Sequence, residues 1–209
     1  MICRLCIVSL FFGAITPACP ASEPVVGQTV TNIETIELRG VDGKRVDLVG
    51  PGEVLRVIAV ERSRVLVSRG KPGWVSEDDI LPLAEAQSRL ANRFRTGAGP
   101  TEYLARGNIR VALGELELGL ADLQKAVEYS GDPADYLPAL GYGLLRNQQH
   151  GKAIQTFSRA IDLDRKIAAA HMGRGLAYFQ AGQLSAAETD FAHALEIESN
   201  NAFALKYAG

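Results

Sequence analysis

The chain has 209 residues, of which 47% are hydrophobic and 22% charged, and its formal net charge at pH 7 is -2. This length suits one or two domains, and the near-zero net charge excludes a nucleic-acid-binding protein that works by bulk positive charge. All three cysteines, Cys3, Cys6 and Cys19, precede residue 20. The rest of the chain therefore has neither a disulfide framework nor a thiolate metal site.

A short apolar run near the amino terminus predicts a secretory signal peptide over residues 1–21. Arg4 precedes the apolar residues 5–15, and small residues follow as far as Ala21, which is the typical order of such a signal. The run is about half as long as the roughly 20 residues that a membrane-spanning helix needs. We therefore expect an exported protein of the periplasm or cell envelope. Two processing routes stay open: cleavage near Ala21, or cleavage before Cys19, whose attached lipid would then hold the protein at the membrane.

Residues 24–83 have the pattern of short β-strands. The runs VLRVIAVE and RVLVS are rich in β-branched residues and partly alternate between apolar and polar positions, as strands do. Asp42-Gly43 is a hairpin turn signal, and Gly50-Pro51-Gly52 is a second break. Four to six short strands in this segment predict a small β-barrel.

The end of this segment carries a motif around Gly73-Trp74-Val75. It resembles the last strand of bacterial SH3-like domains, and the resemblance implies an SH3-like barrel of a kind that often binds cell-wall polymer. Trp74 is the only aromatic residue of the segment, which excludes an aromatic groove for proline-rich peptides. Two interpretations stay open: Trp74 caps the barrel core and the domain is a spacer, or the domain binds wall polymer.

Residues 84–99 predict a bridging helix. Leu83, Ala86, Leu90 and Phe94 recur at steps of three or four residues, which gives one apolar stripe along a helix. The Gly- and Pro-rich sequence at 97–100 ends it. We expect the helix to pack against the first element that follows.

From residue 100 onward the sequence repeats with a period of thirty-four. The eighth positions are Gly107, Gly141 and Gly175, the twenty-fourth are Leu123, Phe157 and Phe191, and the twenty-seventh are Ala126, Ala160 and Ala194. This pattern resembles the tetratricopeptide repeat (TPR). The resemblance implies three helical hairpins, at 100–133, 134–167 and 168–201, and the start of a fourth. Stacking is needed because a single hairpin cannot bury its own apolar face. The predicted fold class is a small all-β SH3-like barrel followed by an all-α TPR solenoid.

The TPR resemblance also implies a concave groove lined by the first helix of each repeat. The groove residues that it implies are Leu104, Asn108, Val111, Tyr142, Leu145, Arg146, Met172, Leu176, Phe179 and Gln180. This set is mostly apolar and lacks the lysines and arginines with which some family members clamp a C-terminal carboxylate. We expect a non-enzymatic, exported bacterial adaptor that binds a protein or peptide. The alternative is an envelope-binding module that holds wall polymer through the SH3-like domain.

The sequence indicates no cofactor, no metal and no catalytic site. His150, His171 and His193 fall at three different positions of the repeat and form no HExxH pair. His171 stands at a packing position, so we expect it to be a satisfied interior residue rather than a ligand. No phosphate-binding loop or activated nucleophile is recognisable.

The last residues, 202–209, are in phase with a fourth repeat but form only part of a helix. Three alternatives stay open. The natural chain is longer, or Phe203 and Leu205 contact a partner or a second copy of the chain, or they fold back over Phe191 and Leu195.

Overall fold

The computed structural model of the chain describes Pro24, residues 26–68 and residues 72–198. Within them, an antiparallel β-sheet precedes seven α-helices, which confirms the predicted order of an all-β part and an all-α part. The predicted signal peptide, Cys19 and the tail residues Phe203 and Leu205 lie outside the described residues. No helix of the described part is long and apolar enough to cross a membrane.

The described residues form a sheet of seven strands. The strands are β1 (Thr29–Thr31), β2 (Ile36–Arg39), β3 (Arg45–Val49), β4 (Val54–Glu61), β5 (Arg64–Ser68), β6 (Pro72–Ser76) and β7 (Leu81–Pro82). Their order across the sheet is β3-β2-β6-β5-β4-β1-β7. Each pair is antiparallel, so short turns suffice to connect most consecutive strands.

One face of the sheet is covered by its own apolar side chains. Leu38, Val49, Leu55, Val65 and Val67 are fully buried in one cluster, because alternate residues of a strand point to the same face. Their neighbours on the strands are mostly half-buried or exposed. The valine-rich composition of this segment therefore supplies a core of its own.

Trp74 lies outside this core. Its neighbours Gly73 and Val75 are buried, whereas Trp74 is half-buried, and the guanidinium of Arg64 lies 5.0 Å from its ring centroid. The indole therefore belongs to the other face of β6, where a cation–π contact covers it. The SH3-like assignment of the sheet stays a prediction.

The helices follow as a bridging helix and three hairpins. They are α1 (Leu83–Thr96), α2 (Pro100–Leu113), α3 (Leu116–Tyr129), α4 (Leu137–Arg146), α5 (His150–Leu163), α6 (Ala168–Gln180) and α7 (Leu184–Ile197). The hairpins are α2 with α3, α4 with α5, and α6 with α7. Gly97, at φ 117°, ends α1, and the Gly99 N–H donates to the Glu102 carboxylate at the start of α2.

The repeated glycines explain how closely each hairpin packs. A Cβ atom added at Gly107 would lie 2.7 Å from Leu123, and one added at Gly175 would lie 2.8 Å from Phe191. The eighth position of a repeat thus abuts the large side chain at the twenty-fourth position. Both large side chains are almost completely buried. The glycine is needed because any larger residue would push the two helices apart.

The sheet and the helices share a small apolar core. Ile33 and Leu81 from the sheet region pack in one cluster with Leu90 of α1 and with Ala105 and Ile109 of α2. At the edge of this cluster, an ion pair of 2.7 Å joins Arg93 of α1 to Glu34. The hydrogen bond to Glu34 raises the pKa of Arg93. Helix α1 therefore packs against both parts of the molecule.

Candidate functional site

The candidate site is the face formed by the first helices of the three hairpins. Helix α4 contacts both α2 and α6, so these helices run side by side and their outward positions share one surface. Three of the predicted groove residues are exposed: Arg146, Phe179 and Gln180. Phe179 is 43% exposed. An aromatic side chain with this exposure gives the surface an apolar contact point.

Other predicted groove residues are partly or wholly packed into the array. Leu145 is only 7% exposed and lies in the apolar cluster around Phe157. The Tyr142 hydroxyl donates a hydrogen bond of 3.0 Å to the Ala169 carbonyl, and its ring meets the Phe157 ring edge-on at 5.2 Å. Val111 is 9% exposed. These residues form the floor of the face and hold the repeats together.

The remaining members of the predicted set are half-buried. They are Leu104 on α2 and Met172 and Leu176 on α6. Leu176 packs against the same apolar cluster as Leu145. Helix α6 therefore has partly exposed apolar side chains in addition to the exposed Phe179.

Asn108 is hydrogen-bonded to the sheet region. Its side-chain amide donates a hydrogen bond of 2.9 Å to the Pro51 carbonyl, and the neighbouring Gly52 packs against the backbone of Ala105. A turn of the sheet therefore contacts the first-repeat end of the face. The sequence placed Asn108 among the groove residues but gave no sign of this partner.

Arg–Asp pairs in which the aspartate is buried occur at the same positions in the first and third hairpins. Arg106 makes two hydrogen bonds of 2.7 Å to Asp122, and Arg174 makes two of 2.7 Å to Asp190. The bond to Asp190 is the main reason that the pKa of Arg174 is raised. Sequence reasoning missed these pairs, although the signal was present, since both stand at the seventh and twenty-third positions of their repeats.

The second hairpin lacks this pair and has a cleft instead. Leu140 and Thr156 stand at the two positions, and both line a cleft of about 550 Å³ between α3 and α5. Glu128 lies on the α3 side of it and Arg159 on the α5 side. The second hairpin therefore joins its two helices without an Arg–Asp pair at these positions.

The third hairpin also brings together three side chains of metal-ligating type. Potential ligand atoms of His171, Asp190 and His193 all lie within 4.8 Å of one another. His171 is buried, as the sequence predicted for an interior residue, and its Nε2 lies 3.1 Å from the Arg165 carbonyl oxygen. The sequence did not predict that Asp190 and His193 would lie beside it.

Comparisons with known proteins agree with the helical part of this architecture. The tetratricopeptide repeat family model matches residues 104–166 and 139–202. No curated protein sequence matches the chain. The first TPR domain of Spaghetti (RPAP3), solved with the HSP90 peptide SRMEEVD, is 21% identical with a TM-score of 0.50, covering 52% of this chain and 86% of that one.

Two further solved structures are similar. The Arabidopsis OM64 TPR domain is 23% identical with a TM-score of 0.50, covering 52% of this chain and 90% of that one. The APC/C hetero-tetramer Cut9–Hcn1 is 17% identical with a TM-score of 0.56, covering 60% of this chain and 26% of that one. At these sequence identities, the similarity shows only that the fold is shared.

Proposed function

Residues 104–202 are tetratricopeptide repeats, and from this premise we propose that the chain is a non-enzymatic adaptor that binds a segment of another protein. The binding surface is the face of α2, α4 and α6. One of the similar structures carries an HSP90 peptide, which supports a protein or peptide as the kind of partner. Repeat arrays present extended surfaces of this kind because their hairpins stack side by side.

The observation that carries the proposal is the exposure of Phe179. This ring is 43% exposed at a predicted groove position, and the exposed Arg146 and Gln180 occupy two other positions of the set. Large aromatic and arginine side chains contribute most of the binding energy in many interfaces. The centre of the site is therefore placed over α4 and α6. The α2 end is less open, because Asn108 bonds to Pro51.

The chemistry of the face favours an apolar segment over an acidic peptide end. Arg146 is the only basic residue in the predicted groove set, and the set has no lysine. A single arginine cannot surround a terminal carboxylate with several charge-assisted hydrogen bonds. The partner segment is therefore expected to place an apolar side chain against Phe179 and a hydrogen-bond acceptor near Arg146.

Replacing the exposed aromatic residue tests this proposal. A peptide selected by phage display against the full chain serves as the probe, and fluorescence anisotropy measures its affinity. Phe179→Ala is expected to weaken binding about three- to tenfold, since fully burying a phenylalanine contributes about 1.5 to 3 kcal/mol and 43% of this residue is exposed. Arg146→Ala is expected to weaken it by a smaller factor.

The matched control is Leu184→Ala. Leu184 is a large apolar residue of the same hairpin, 56% exposed, on the second helix rather than the first. This variant should bind the peptide as the parent does. Equal losses in Phe179→Ala and Leu184→Ala would contradict the groove assignment. Tight binding of the free peptide SRMEEVD would contradict the expected preference for an apolar segment. Binding to purified wall polymer, with no peptide binding, would favour the alternative role for the sheet.

We also propose that the protein is exported, on the basis of Arg4 and the apolar residues 5–15. Removal of residues 1–21 in the native host is the expected outcome. Amino-terminal sequencing of the protein purified from that host checks it, and an amino terminus near Ser22 agrees with the proposal. An intact Met1 would contradict export through this signal, and a lipid-blocked Cys19 would indicate the second processing route.

A further inference from the structure

The third hairpin holds a compact group of two imidazoles and one carboxylate. Asp190 and His193 lie on α7 three residues apart, and side chains at this spacing share one helix face. His171 comes from the facing helix α6, with its Nδ1 atom 3.5 Å from Asp190 Oδ1. Asp190 and His171 are buried, whereas His193 is exposed. The group therefore has a fixed inner part and one member open to solvent.

The surroundings of His171 direct its Nδ1 atom towards the group. Its Nε2 lies 3.1 Å from the Arg165 carbonyl oxygen, which is an acceptor only, so Nε2 carries the hydrogen. The Nδ1 atom is then the ring nitrogen that faces Asp190 Oδ1, and it is the one placed to coordinate an ion bound in the group. Metal-binding histidines usually have this arrangement, in which the second ring nitrogen donates to a carbonyl or carboxylate.

Asp190 is held in place without losing its ability to bind a cation. Arg174 donates to both of its oxygens at 2.7 Å and also to Ser158 Oγ at 3.1 Å. Each carboxylate oxygen has two lone pairs, so one remains on the oxygen that faces His171. Metal-binding carboxylates are commonly hydrogen-bonded in this way by neighbouring residues.

The other two hairpins lack this combination of two histidines and one aspartate. At the positions of His171 and His193 the first hairpin has Tyr103 and Lys125. The first hairpin keeps the aspartate, Asp122, but two arginines bind it, Arg106 and Arg110. In the third hairpin the second arginine is absent, because Tyr178 stands at the position of Arg110. Less positive charge therefore surrounds the carboxylate in the one hairpin that also has both histidines.

We propose that His171, Asp190 and His193 form a binding site for a divalent transition-metal ion. Two imidazole nitrogens and one carboxylate oxygen are a ligand set that suits zinc and its neighbours. Ligands around tetrahedral zinc lie about 3.3 Å apart, close to the 3.5 Å between His171 and Asp190. The potential ligand atoms of all three residues, His193 included, lie within 4.8 Å of one another, and water completes the coordination.

The bound ion joins α6 to α7 and stabilises the last hairpin of the array. An ion that binds only the folded state raises the free energy of unfolding in proportion to the logarithm of its concentration. The positive charge of Arg174 lowers the affinity, so we expect micromolar binding, weaker than at a site with four thiolate or imidazole ligands.

Calorimetric titration of the tag-free full chain with Zn²⁺ tests the site. Cys3, Cys6 and Cys19 are replaced by serine in every protein, because thiolates also bind zinc. The expected result is one zinc ion per chain and a zinc-dependent rise in melting temperature. His193→Gln is expected to weaken zinc binding at least about tenfold. His193 is exposed, so this variant should fold as the parent does.

The matched control is His150→Gln, which removes a histidine that lies at the start of α5, outside the group. It should bind zinc as the parent does, and zinc should shift the imidazole NMR signals of His171 and His193 but not those of His150. The proposal is overturned if the parent takes up no zinc, or if His193→Gln and His150→Gln lose affinity equally. A zinc-induced shift confined to His150 would overturn it as well.

Discussion

Gly52→Ala is expected to separate the sheet from the helices. A Cβ atom at this position would lie 2.2 Å from the Ala105 carbonyl oxygen and 2.6 Å from Ala105 Cα. These are backbone atoms of α2, so they cannot move aside as the end of a flexible side chain can. Gly52 also has φ +74°, a conformation that costs alanine about 1 to 2 kcal/mol. Overpacking typically costs about 1 to 3 kcal/mol in addition, and we therefore expect the free energy of unfolding to fall by about 2 to 5 kcal/mol.

Gly43→Ala separates the cost of the positive φ from the cost of overpacking. Gly43 has nearly the same φ, +76°, but nothing lies within 4 Å of the added Cβ. This variant should therefore lose only the conformational part, about 1 to 2 kcal/mol. Urea unfolding measures both losses, and hydrogen exchange should show faster exchange in α2 for Gly52→Ala alone. Similar losses in the two variants would mean that the contact between Gly52 and Ala105 does not hold the two parts together.

Phe157→Ala is expected to destabilise the array by about 3 to 5 kcal/mol, because truncating a buried phenylalanine leaves a cavity. The Phe157 ring is fully buried between two glycines of neighbouring hairpins. A Cβ atom would lie 2.6 Å from the ring at Gly141 and 2.3 Å from it at Gly173. One ring thus fills the space within its own hairpin and the space towards the next one. Thermal and urea unfolding of the full chain measure the loss.

Gly173→Ala tests the same contact from the other side. Alanine is the better helix former by about 0.5 to 1 kcal/mol, yet overpacking against Phe157 should make this variant less stable by about 1 to 3 kcal/mol. Gly151→Ala is the control, since nothing lies within 4 Å of its added Cβ and it should be neutral or stabilising. Combining Gly173→Ala with Phe157→Leu should cost less than the sum of the two single changes. Full additivity would contradict the proposed contact.

The same residues show why the packing positions of the repeats could be predicted. The residues at which repeats pack are set by spacing along the chain, so Gly107 with Leu123 and Gly175 with Phe191 could be paired by repeat position alone. The assignment of Phe179 to the groove rests on its repeat position and stays a prediction. Tyr142 and Leu145 stand at positions of the same type, but their packing around Phe157 depends on the neighbouring hairpin.

The sequence by itself determined the succession of strands and helices, because apolar periodicity and turn residues act within a few residues of each other. It also determined the three hairpins, since their pattern recurs in phase. Only the tertiary structure decided that Asn108 bonds to Pro51, 57 residues away, and that Asp190 and His193 meet His171. Such contacts depend on the angle and distance at which whole elements pack. Those are set by the sum of many side-chain contacts across the molecule, which no local pattern records.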